Sequence, residues 1–413
     1  MQTFDPGETI FENMDVLNPN KDYHPDDLPE RELELSQLHS ALRPAMMGST
    51  PINAFVYGHT GQGKTAAISL KTASLEAAAQ ENDIDLTVVT VRCKGLNKSY
   101  HVMTHLIKEL RGGPGAELPR GHHQKELFDM IQAELRAIGG TIIVVLDEID
   151  AIGEDDYILY ELPRLDLENV RLSIIGITND YQFRDNLEAD VRSSLGEDEV
   201  EFSPYNANQL TSILQRRAAK GLKRTGFNEN DEFESEILIN GAASYCAALC
   251  AQDTGDARQA IKLLFNACRR VDDRGEDTVT PDEIDAAQDR LERRAVERGI
   301  SSLPQQPQYA LLAVTKIQLD NETPAGTEEI RPYYEQICNV LTVDALSRRR
   351  YREKLNDLAS WNILEKETRS RGRNAGRTNY YDLAVDAETV LENISSDTQM
   401  MTNIIENLRT SAE

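Results

Sequence analysis

The stretch Ile52–Leu70, INAFVYGHTGQGKTAAISL, decides the fold, because an apolar strand candidate runs into a glycine-rich loop and then into a helix. The loop itself, Gly58–Thr65, has the form GxxxxGK[ST] in the context that phosphate binding requires. Its glycines allow backbone N–H groups to turn toward a phosphate, Lys64 reaches the β- and γ-phosphates, and the Thr65 hydroxyl holds Mg²⁺. The stretch therefore predicts an ATP–Mg²⁺ site.

A second motif, TIIVVLDEID, supplies the acids that such a site needs. Five consecutive apolar residues predict a buried strand that ends at Asp147 and Glu148. Asp147 is expected to hold the magnesium ion through water, and Glu148 to orient or deprotonate the attacking water. The alternative, a solvated acid pair, is disfavoured by the apolar run and by the separate phosphate loop.

Two further polar residues fit the same site. LSIIGITND is another apolar strand that ends in Asn179, which is either a turn residue or a contact to the γ-phosphate or the water. In GDARQAIKLL, Asp256 can cap a helix whose first turn contains Arg258. A cation is unfavourable at that end of a helix, so a phosphate partner explains Arg258 better than a surface position does.

The length of 413 residues suggests two or three domains. Residues 52–203 alternate short apolar runs with helical segments, which predicts an α/β domain with a parallel sheet. Helical periodicity alone follows to about residue 295, and GISSLPQQP then reads as a linker. We predict a base domain with an N-terminal extension, a helical lid and a C-terminal domain with a tail, at residues 1–203, 204–299 and 300–413. The strand candidates are Ile52–Tyr57, Leu86–Arg92, Thr141–Asp147, Leu172–Thr178 and Glu199–Phe202.

Composition bounds the possible partners. The formal charge of −26 argues against nucleic acid, unless the dispersed acid is an adaptation to a salty cytoplasm, in which case local charge is more informative. No stretch is long and apolar enough for a membrane span, and the first 14 residues carry three acids and no base, so we expect a soluble cytoplasmic protein. The five cysteines form no CxxC pair, which makes a zinc site or a disulfide framework an unfavoured interpretation.

Residues 345–380 reverse the general charge, with ten basic and four acidic residues. A helix with arginines near its start precedes a glycine-containing basic tip between two strand-like arms, which is the layout of a winged helix-turn-helix. A solvated helix face and loop is the alternative. Arg350 and Tyr351 are expected to face partly inward. The candidate DNA-binding residues are Arg348, Arg349, Arg352, Arg369, Arg371, Arg373 and Arg377.

The four nucleotide elements, in this order, resemble the Walker A, Walker B, sensor 1 and sensor 2 motifs of AAA+ ATPases. Together with YHPDDLPERELELSQLHSAL, VRSSL and FSPYNANQLTSILQRRA, they resemble the archaeal ORC/CDC-type replication initiators over roughly residues 20–395. The resemblance implies that Tyr205 contacts the base and that Arg217 is a lid cation near the phosphates. The nucleotide contacts that it implies are Gly61, Gln62, Gly63, Lys64, Thr65, Ala66, Tyr205, Arg217 and Arg258, with Lys64, Asp147, Glu148 and Asn179 catalytic and Thr65 and Asp147 at the metal.

One position departs from the family pattern. The family commonly has an arginine where this chain has Asp190, and that arginine acts on a neighbour's ATP; Arg192, two residues on, is the alternative. We therefore expect a weak ATPase that acts as a switch. The family also implies a second DNA contact in the segment that holds Lys94, Lys98, His101 and Lys108, for which a plain core helix is the competing interpretation.

The resemblance implies a replication initiator that binds double-stranded origin DNA, self-associates there and helps to load the replicative helicase, in the cytoplasm at the nucleoid. Two alternatives share its motifs. One is an ATP-switched DNA-binding regulator of a plasmid or of transcription. The other is a P-loop signalling or remodelling ATPase whose winged helix binds protein.

Overall fold

The computed structural model describes residues 9–19, 23, 27–117, 121–153, 155–195, 198–320, 323–370, 377–394 and 399–412. The chain forms two compact units, residues 1–284 and residues 285–413. None of the described helices combines the length and the apolar character that crossing a bilayer requires.

A five-stranded sheet is the centre of the first unit. Its order is β2-β3-β4-β1-β5, and all neighbouring pairs are parallel. The strand β4 therefore lies between the strand that enters the phosphate loop and the strand that carries the acids, which brings the three motifs to one edge of the sheet. The predicted parallel α/β sheet is confirmed. The strands are β1 (Ala54–Gly58), β2 (Leu86–Arg92), β3 (Gly140–Asp147), β4 (Val170–Thr178) and β5 (Asp198–Phe202).

Helices cover both faces of this sheet, because its central strands are apolar on both sides. The residues of β3 from Thr141 to Leu146 are all buried, and their side chains alternate between two separate apolar clusters. The short helix α1 (Met14–Leu17) packs on the lid instead. The helices of the sheet region are α2 (Glu32–Leu42), α3 (Lys64–Glu81), α4 (Ser99–Leu110), α5 (Gln124–Ile138), α6 (Tyr157–Glu161), α7 (Tyr181–Asn186) and α8 (Ala189–Leu195).

The lid is helical, with one small hairpin that the sequence did not reveal. Asp256 caps the helix that begins after it through its side chain, as the sequence predicts, and Asn206 caps the first lid helix in the same way. The lid elements are α9 (Ala207–Gly221), β6 (Thr225–Phe227), β7 (Phe233–Ser235), α10 (Ala242–Asp253), α11 (Ala257–Asp273) and α12 (Pro281–Ser301).

Residues 9–19, here called the N-terminal strap, pack against the lid. The backbone N–H of Ile10 and the hydroxyl of Thr9 both donate to the carboxylate of Asp272, at 2.8 and 3.1 Å. Leu17 is fully buried on α9 at Gly221, where an added Cβ would lie 2.8 Å from its Cγ. The strap is thereby held on the lid, whose contacting residues lie about 200 positions or more further along the chain.

The second unit is a winged helix. Three helices precede an antiparallel hairpin, and the short strand β8 pairs with β10 to give the order β8-β10-β9. The predicted winged-helix fold is confirmed, and the last helix contributes Met401, Ile405 and Leu408 to the core. The elements are α13 (Gln305–Leu319), β8 (Ala325–Gly326), α14 (Thr327–Val340), α15 (Arg348–Ser360), β9 (Leu364–Ser370), β10 (Arg377–Leu383), α16 (Ala387–Asn393) and α17 (Gln399–Ala412).

Candidate functional site

The glycines of the phosphate loop are required by its backbone and by its neighbours. Gly58, Gly61 and Gly63 all have positive φ, at 147°, 78° and 87°. A Cβ on Gly61 would lie 1.7 Å from Oδ1 of Asp256, and one on Gly58 would lie 2.3 Å from the carbonyl oxygen of Phe202. No larger residue fits these two positions, so the loop can pack closely against the lid and β5.

Lys64 is the first residue of α3 and is almost fully buried. Its Nζ donates to the carbonyl oxygens of Gly58 and His59, both at 2.7 Å, so the ammonium group lies inside the curve of the loop. Burial lowers the pKa of Lys64 to about 8, although Asp147 and Asp150 oppose the shift. The site therefore holds a positive charge that lacks its full solvation, which is the electrostatic requirement for binding phosphate.

The two predicted magnesium ligands lie together. The Thr65 hydroxyl donates to Oδ2 of Asp147 at 3.1 Å. Burial raises the pKa of Asp147, and the hydrogen bond from Thr65 works against that rise. A hydroxyl and a carboxylate at this spacing are hard oxygen ligands of the kind Mg²⁺ prefers, so the residues fit the ion.

Glu148 and Asn179 complete the edge of the sheet, and both lie beside the same pocket as Asp147. Glu148 adopts a left-handed backbone with φ of 56°, and its carboxylate lies 3.1 Å from Nε of Arg92 and 3.7 Å from Nζ of Lys94. This catalytic candidate is thus held by two exposed cations.

Asp150 is a functional residue that the sequence reasoning missed, although it belongs to the LDEID motif. Its carboxylate accepts a hydrogen bond from the hydroxyl of Thr178 at 2.8 Å and from the backbone N–H of Asn179 at 3.3 Å. Asp150 therefore fixes the end of β4 and the position of Asn179 relative to the acids of β3.

A cleft of about 480 Å³ lies over the loop, within the range of small-ligand pockets. The lid contributes Arg217 and Arg258 to its wall, as expected, and also Arg216 and Lys220. Arg258 is exposed in the first turn of α11. Four cations from the lid thus face a cleft whose floor is the phosphate loop, an arrangement suited to a polyphosphate.

Arg217 is oriented by residues from the start of the chain. Its guanidinium lies over the ring of Tyr23 at 4.2 Å and donates to the carbonyl oxygen of Val16 at 3.0 Å. Burial lowers the pKa of Arg217. The strap and Tyr23 therefore form part of the cleft wall and place a lid cation, a role that the polar N-terminal sequence did not indicate.

Arg31 is the second residue that sequence reasoning missed. It is only 3% exposed, and its guanidinium lies 3.8 Å from the ring centre of Tyr205. It also donates to the carbonyl oxygen of Gln62 at 3.2 Å and to that of Ser203 at 2.6 Å. Arg31 therefore joins the phosphate loop to the predicted base contact Tyr205, which is itself buried.

The described candidate arginines of the winged helix are exposed, and each has an acidic partner. Arg348 and Arg352 share Glu328 of α14, Arg349 pairs with Glu353 at 3.0 Å, and Arg369 pairs with Glu367 at 2.6 Å. Tyr351 is fully buried, but Arg350 is exposed, so its expected inward position is wrong: Tyr351 alone occupies the core-facing side of that turn. Arg377 begins β10, and its side chain, like all of Arg371 and Arg373, lies outside the described residues.

Two other expectations concern the first unit. The helix α4 buries Val102, Met103, Leu106 and Ile107 completely. Lys98 and His101 of the basic segment are exposed. One face of this segment therefore packs in the core, and the other presents basic side chains to solvent. Asp190 is exposed, and its carbonyl oxygen accepts a hydrogen bond from Arg164 at 3.0 Å. Arg192 is also exposed.

Comparison with known proteins places all three regions in one family. Family models described as "AAA domain", "Cdc6 AAA+ ATPase-type lid domain" and "CDC6, C terminal winged helix domain" match residues 49–184, 211–289 and 298–393. ORC1-type DNA replication protein 11 of Haloarcula marismortui is 38% identical and covers 95% of this chain and 92% of its own. ORC1-type DNA replication protein of Thermococcus onnurineus is 35% identical and covers 95% of this chain and 92% of its own.

A solved structure of the Aeropyrum pernix ORC1 protein in complex with DNA is 33% identical and has a TM-score of 0.75. It covers 94% of this chain, and this chain covers 98% of it. The base is thus an AAA+ ATPase domain, and the resemblance seen in the sequence motifs is confirmed. Because identity of this level extends over nearly the full length of both partners in each comparison, the chain belongs to the family of ORC1-type DNA replication proteins.

Proposed function

We propose that this protein is an ATP-controlled replication initiator that binds double-stranded origin DNA through its winged helix. The observation that carries the proposal is the similarity to the A. pernix ORC1 protein, solved with DNA, along 94% of this chain. The base, the lid and the winged helix are all included in that similarity. The predicted domain division at residues 203 and 299 assigns nucleotide binding to the first two regions and DNA binding to the third.

The residues of the cleft suggest a role for each contact. Backbone N–H groups of Gly61–Ala66 and the ammonium of Lys64 bind the phosphates, Arg258 and Arg217 add lid cations, and Tyr205 lies beside the base. Thr65 and Asp147 would hold Mg²⁺, which would supply positive charge to the terminal phosphates. Glu148 orients the attacking water and accepts its proton, and Asn179 positions that water.

Two features favour slow hydrolysis. The carboxylate of Glu148 is engaged by Arg92 and Lys94, so it must leave these ion pairs before it can orient the attacking water. Asp190 replaces the arginine that family members use on a neighbour's ATP, and Arg192 would need to act from a shifted position. A weak ATPase suits a switch, in which the ATP form persists long enough for DNA binding and hydrolysis then ends it.

We assign the DNA contacts to the arginines of α15 and of the hairpin, which are Arg348, Arg349, Arg352, Arg369, Arg371, Arg373 and Arg377. An arginine-bearing helix suits the major groove, and a basic hairpin tip suits the backbone or the minor groove. We propose further that the protein acts in the cytoplasm at the nucleoid, self-associates on origin DNA and helps to load the replicative helicase.

Footprinting on candidate origin DNA, near molar potassium salt, tests this proposal. Wild-type protein and Lys64→Ala are compared with ATP and with ADP. We expect ATP to extend or strengthen the wild-type footprint and to leave the variant unchanged, because Lys64 is the buried cation of the phosphate loop. Lys71→Ala is the matched control, since Lys71 lies two turns further along α3 and outside the cleft.

Identical footprints in all nucleotide states would contradict an ATP-controlled initiator. Mapping of the bound sites in cells separates the initiator from a transcriptional regulator, because a regulator would occupy promoters alone. Loss of DNA binding in Arg349→Ala with Arg373→Ala would exclude a winged helix that binds only protein.

A further inference from the structure

Two arginines of α15 converge on a single carboxylate of α14. Arg352 Nη2 lies 3.1 Å from Oε1 of Glu328, and Arg348 Nη2 lies 3.8 Å from Oε2. Arg348 and Arg352 are four residues apart and therefore share one face of the helix. Each carboxylate oxygen thus has its own guanidinium partner, and the contact crosses from one helix of the winged helix to the next.

The helix α14 does not need Glu328 for its own capping. Two acids occupy its first turn, and the second of them, Glu329, accepts the backbone N–H of Gly326 at 2.6 Å. Glu329 therefore completes the helix N-terminus, as in a capping box. Glu328 is left to face α15, where it neutralises the repulsion between two neighbouring guanidinium groups.

The position of this carboxylate is one that a DNA phosphate could take. A phosphate oxygen and a carboxylate oxygen present the same chemistry to a guanidinium, and both favour paired N–H donors. All three side chains are substantially exposed, with Glu328 at 46%. An exposed ion pair of this kind is weak and easily displaced, so an approaching duplex can exchange one anion for another.

We propose that the Glu328 carboxylate occupies the position between Arg348 and Arg352 that a DNA backbone phosphate takes in the complex. DNA must therefore displace this carboxylate on binding. This inference rests on the proposed DNA-binding function of the winged helix. This exchange lowers the binding free energy that phosphate contacts provide on DNA of any sequence. Each such contact replaces an existing ion pair, whereas on an unpaired face it would form with a free, solvated arginine. The protein thereby avoids holding bulk DNA through two arginines that lie on its binding face.

The exchange also changes the salt dependence of binding. Arginines that are already neutralised release fewer counterions in total, because the displaced carboxylate takes up a cation as DNA releases one. The slope of log K against log salt should therefore be shallower than the number of phosphate contacts suggests. Such a binding face loses less affinity at high salt than an unpaired one does.

Glu328→Gln in the full-length protein tests this exchange, with binding to random-sequence duplex DNA measured between about 0.15 and 2 M KCl. We expect the variant to bind roughly tenfold more tightly at the lowest salt and to converge with wild type at the highest, with a slope more negative by about one. In a background of Arg348→Gln with Arg352→Gln, the substitution should have no further effect beyond about twofold.

Glu335→Gln is a closely matched control. Glu335 lies two turns further along the same helix, is 45% exposed and forms an ion pair with Arg331 at 2.6 Å, and its removal changes the net charge equally. Arg331 is not among the candidate DNA contacts. We expect this variant to remain within about twofold of wild type at every salt concentration.

Three results would overturn the proposal. Equal gains in Glu328→Gln and Glu335→Gln would show an effect of net charge alone. Weaker DNA binding by Glu328→Gln would show that the glutamate orients the arginines instead of competing with DNA. If wild type binds no duplex at any salt while its winged helix is folded by circular dichroism, the proposed DNA-binding function fails and this inference fails with it.

Discussion

Lys64 is a charged group in a place that disfavours its charge. Its pKa of about 8 means that the ammonium form is destabilised by burial in the free protein. The unfolded chain, with an ordinary lysine pKa of 10.5, binds more protons between these values, so this residue contributes stability that rises with pH from about 8 to 10.5. Bound phosphates reverse the preference, because their negative charge stabilises the ammonium form.

Nucleotide binding should therefore take up a proton at Lys64 above pH 8. Near pH 9 the lysine of the free protein is mostly neutral and must be protonated to pair with phosphate. We expect affinity to fall by up to about tenfold per pH unit above 8. Calorimetry at pH 9 in buffers of different ionisation enthalpy measures the uptake directly.

Lys64→Arg is the informative variant for this prediction. A guanidinium does not deprotonate in this range, so the charge remains while the proton uptake disappears. Lys71→Ala on the same helix should keep the wild-type uptake. An uptake that is unchanged in Lys64→Arg would assign the proton to another group.

At the scale of elements, the N-terminal strap connects lid stability to the nucleotide cleft. Its anchor is Asp272, which accepts hydrogen bonds from Thr9 and Ile10, and its far end places the carbonyl oxygen of Val16 on Arg217. One short segment thus fastens onto α11 and also orients a cation of the cleft. Weakening this anchor should therefore lower the affinity for nucleotide, even though Asp272 does not line the cleft.

Asp272→Ala tests this connection. Loss of two hydrogen bonds to a carboxylate should cost about 2–4 kcal/mol of strap attachment and weaken nucleotide binding by roughly three- to tenfold. Asp273→Ala is the control, since the carboxylate of Asp273 is exposed and, among the residues that the structure describes, pairs with Arg269 at 4.0 Å rather than with the strap. Limited proteolysis near residue 19 and nucleotide titration check the two effects; equal behaviour of both variants would rule out the connection.

The elements with strong local patterns were predictable from sequence, and those that depend on distant partners were not. Apolar runs gave the five strands within about two residues, and the GxxxxGK[ST] spacing located the phosphate loop. Arg31 was missed because no periodicity marks a buried arginine, whose four side-chain hydrogen bonds go to residues 34, 62 and 203. The strap was missed because its few apolar residues, within a polar and acidic segment, predict no core.

At the scale of the whole molecule, acidic charge dominates. A net charge of −26 destabilises the compact state through self-repulsion, and salt reduces this by shortening the screening length from about 10 Å at 0.1 M to about 3 Å at 1 M. The basic residues are locally concentrated on the winged helix, where each described candidate arginine is paired. High salt should thus favour folding of the chain as a whole, although it also screens these exposed arginine pairs.

Thermal unfolding in KCl provides a test of this charge effect. We expect the midpoint to rise on the order of 10 °C between 0.1 and 1 M KCl and to level off above that, because the screening length then falls below the spacing of most charges. Sucrose at matched osmolality should give a much smaller rise. A midpoint independent of KCl would show that repulsion does not limit stability.

The strap also has a consequence for how the chain is made. The bond from Thr9 to Asp272 joins residues 263 positions apart, so Thr9 leaves the ribosome long before its partner in the lid has been synthesised. At bacterial-type rates of about 5–20 residues per second, that interval lasts more than ten seconds. During that interval the strap lacks this anchor, and the cleft wall that it forms can be completed only after the strands of the base sheet have all been synthesised.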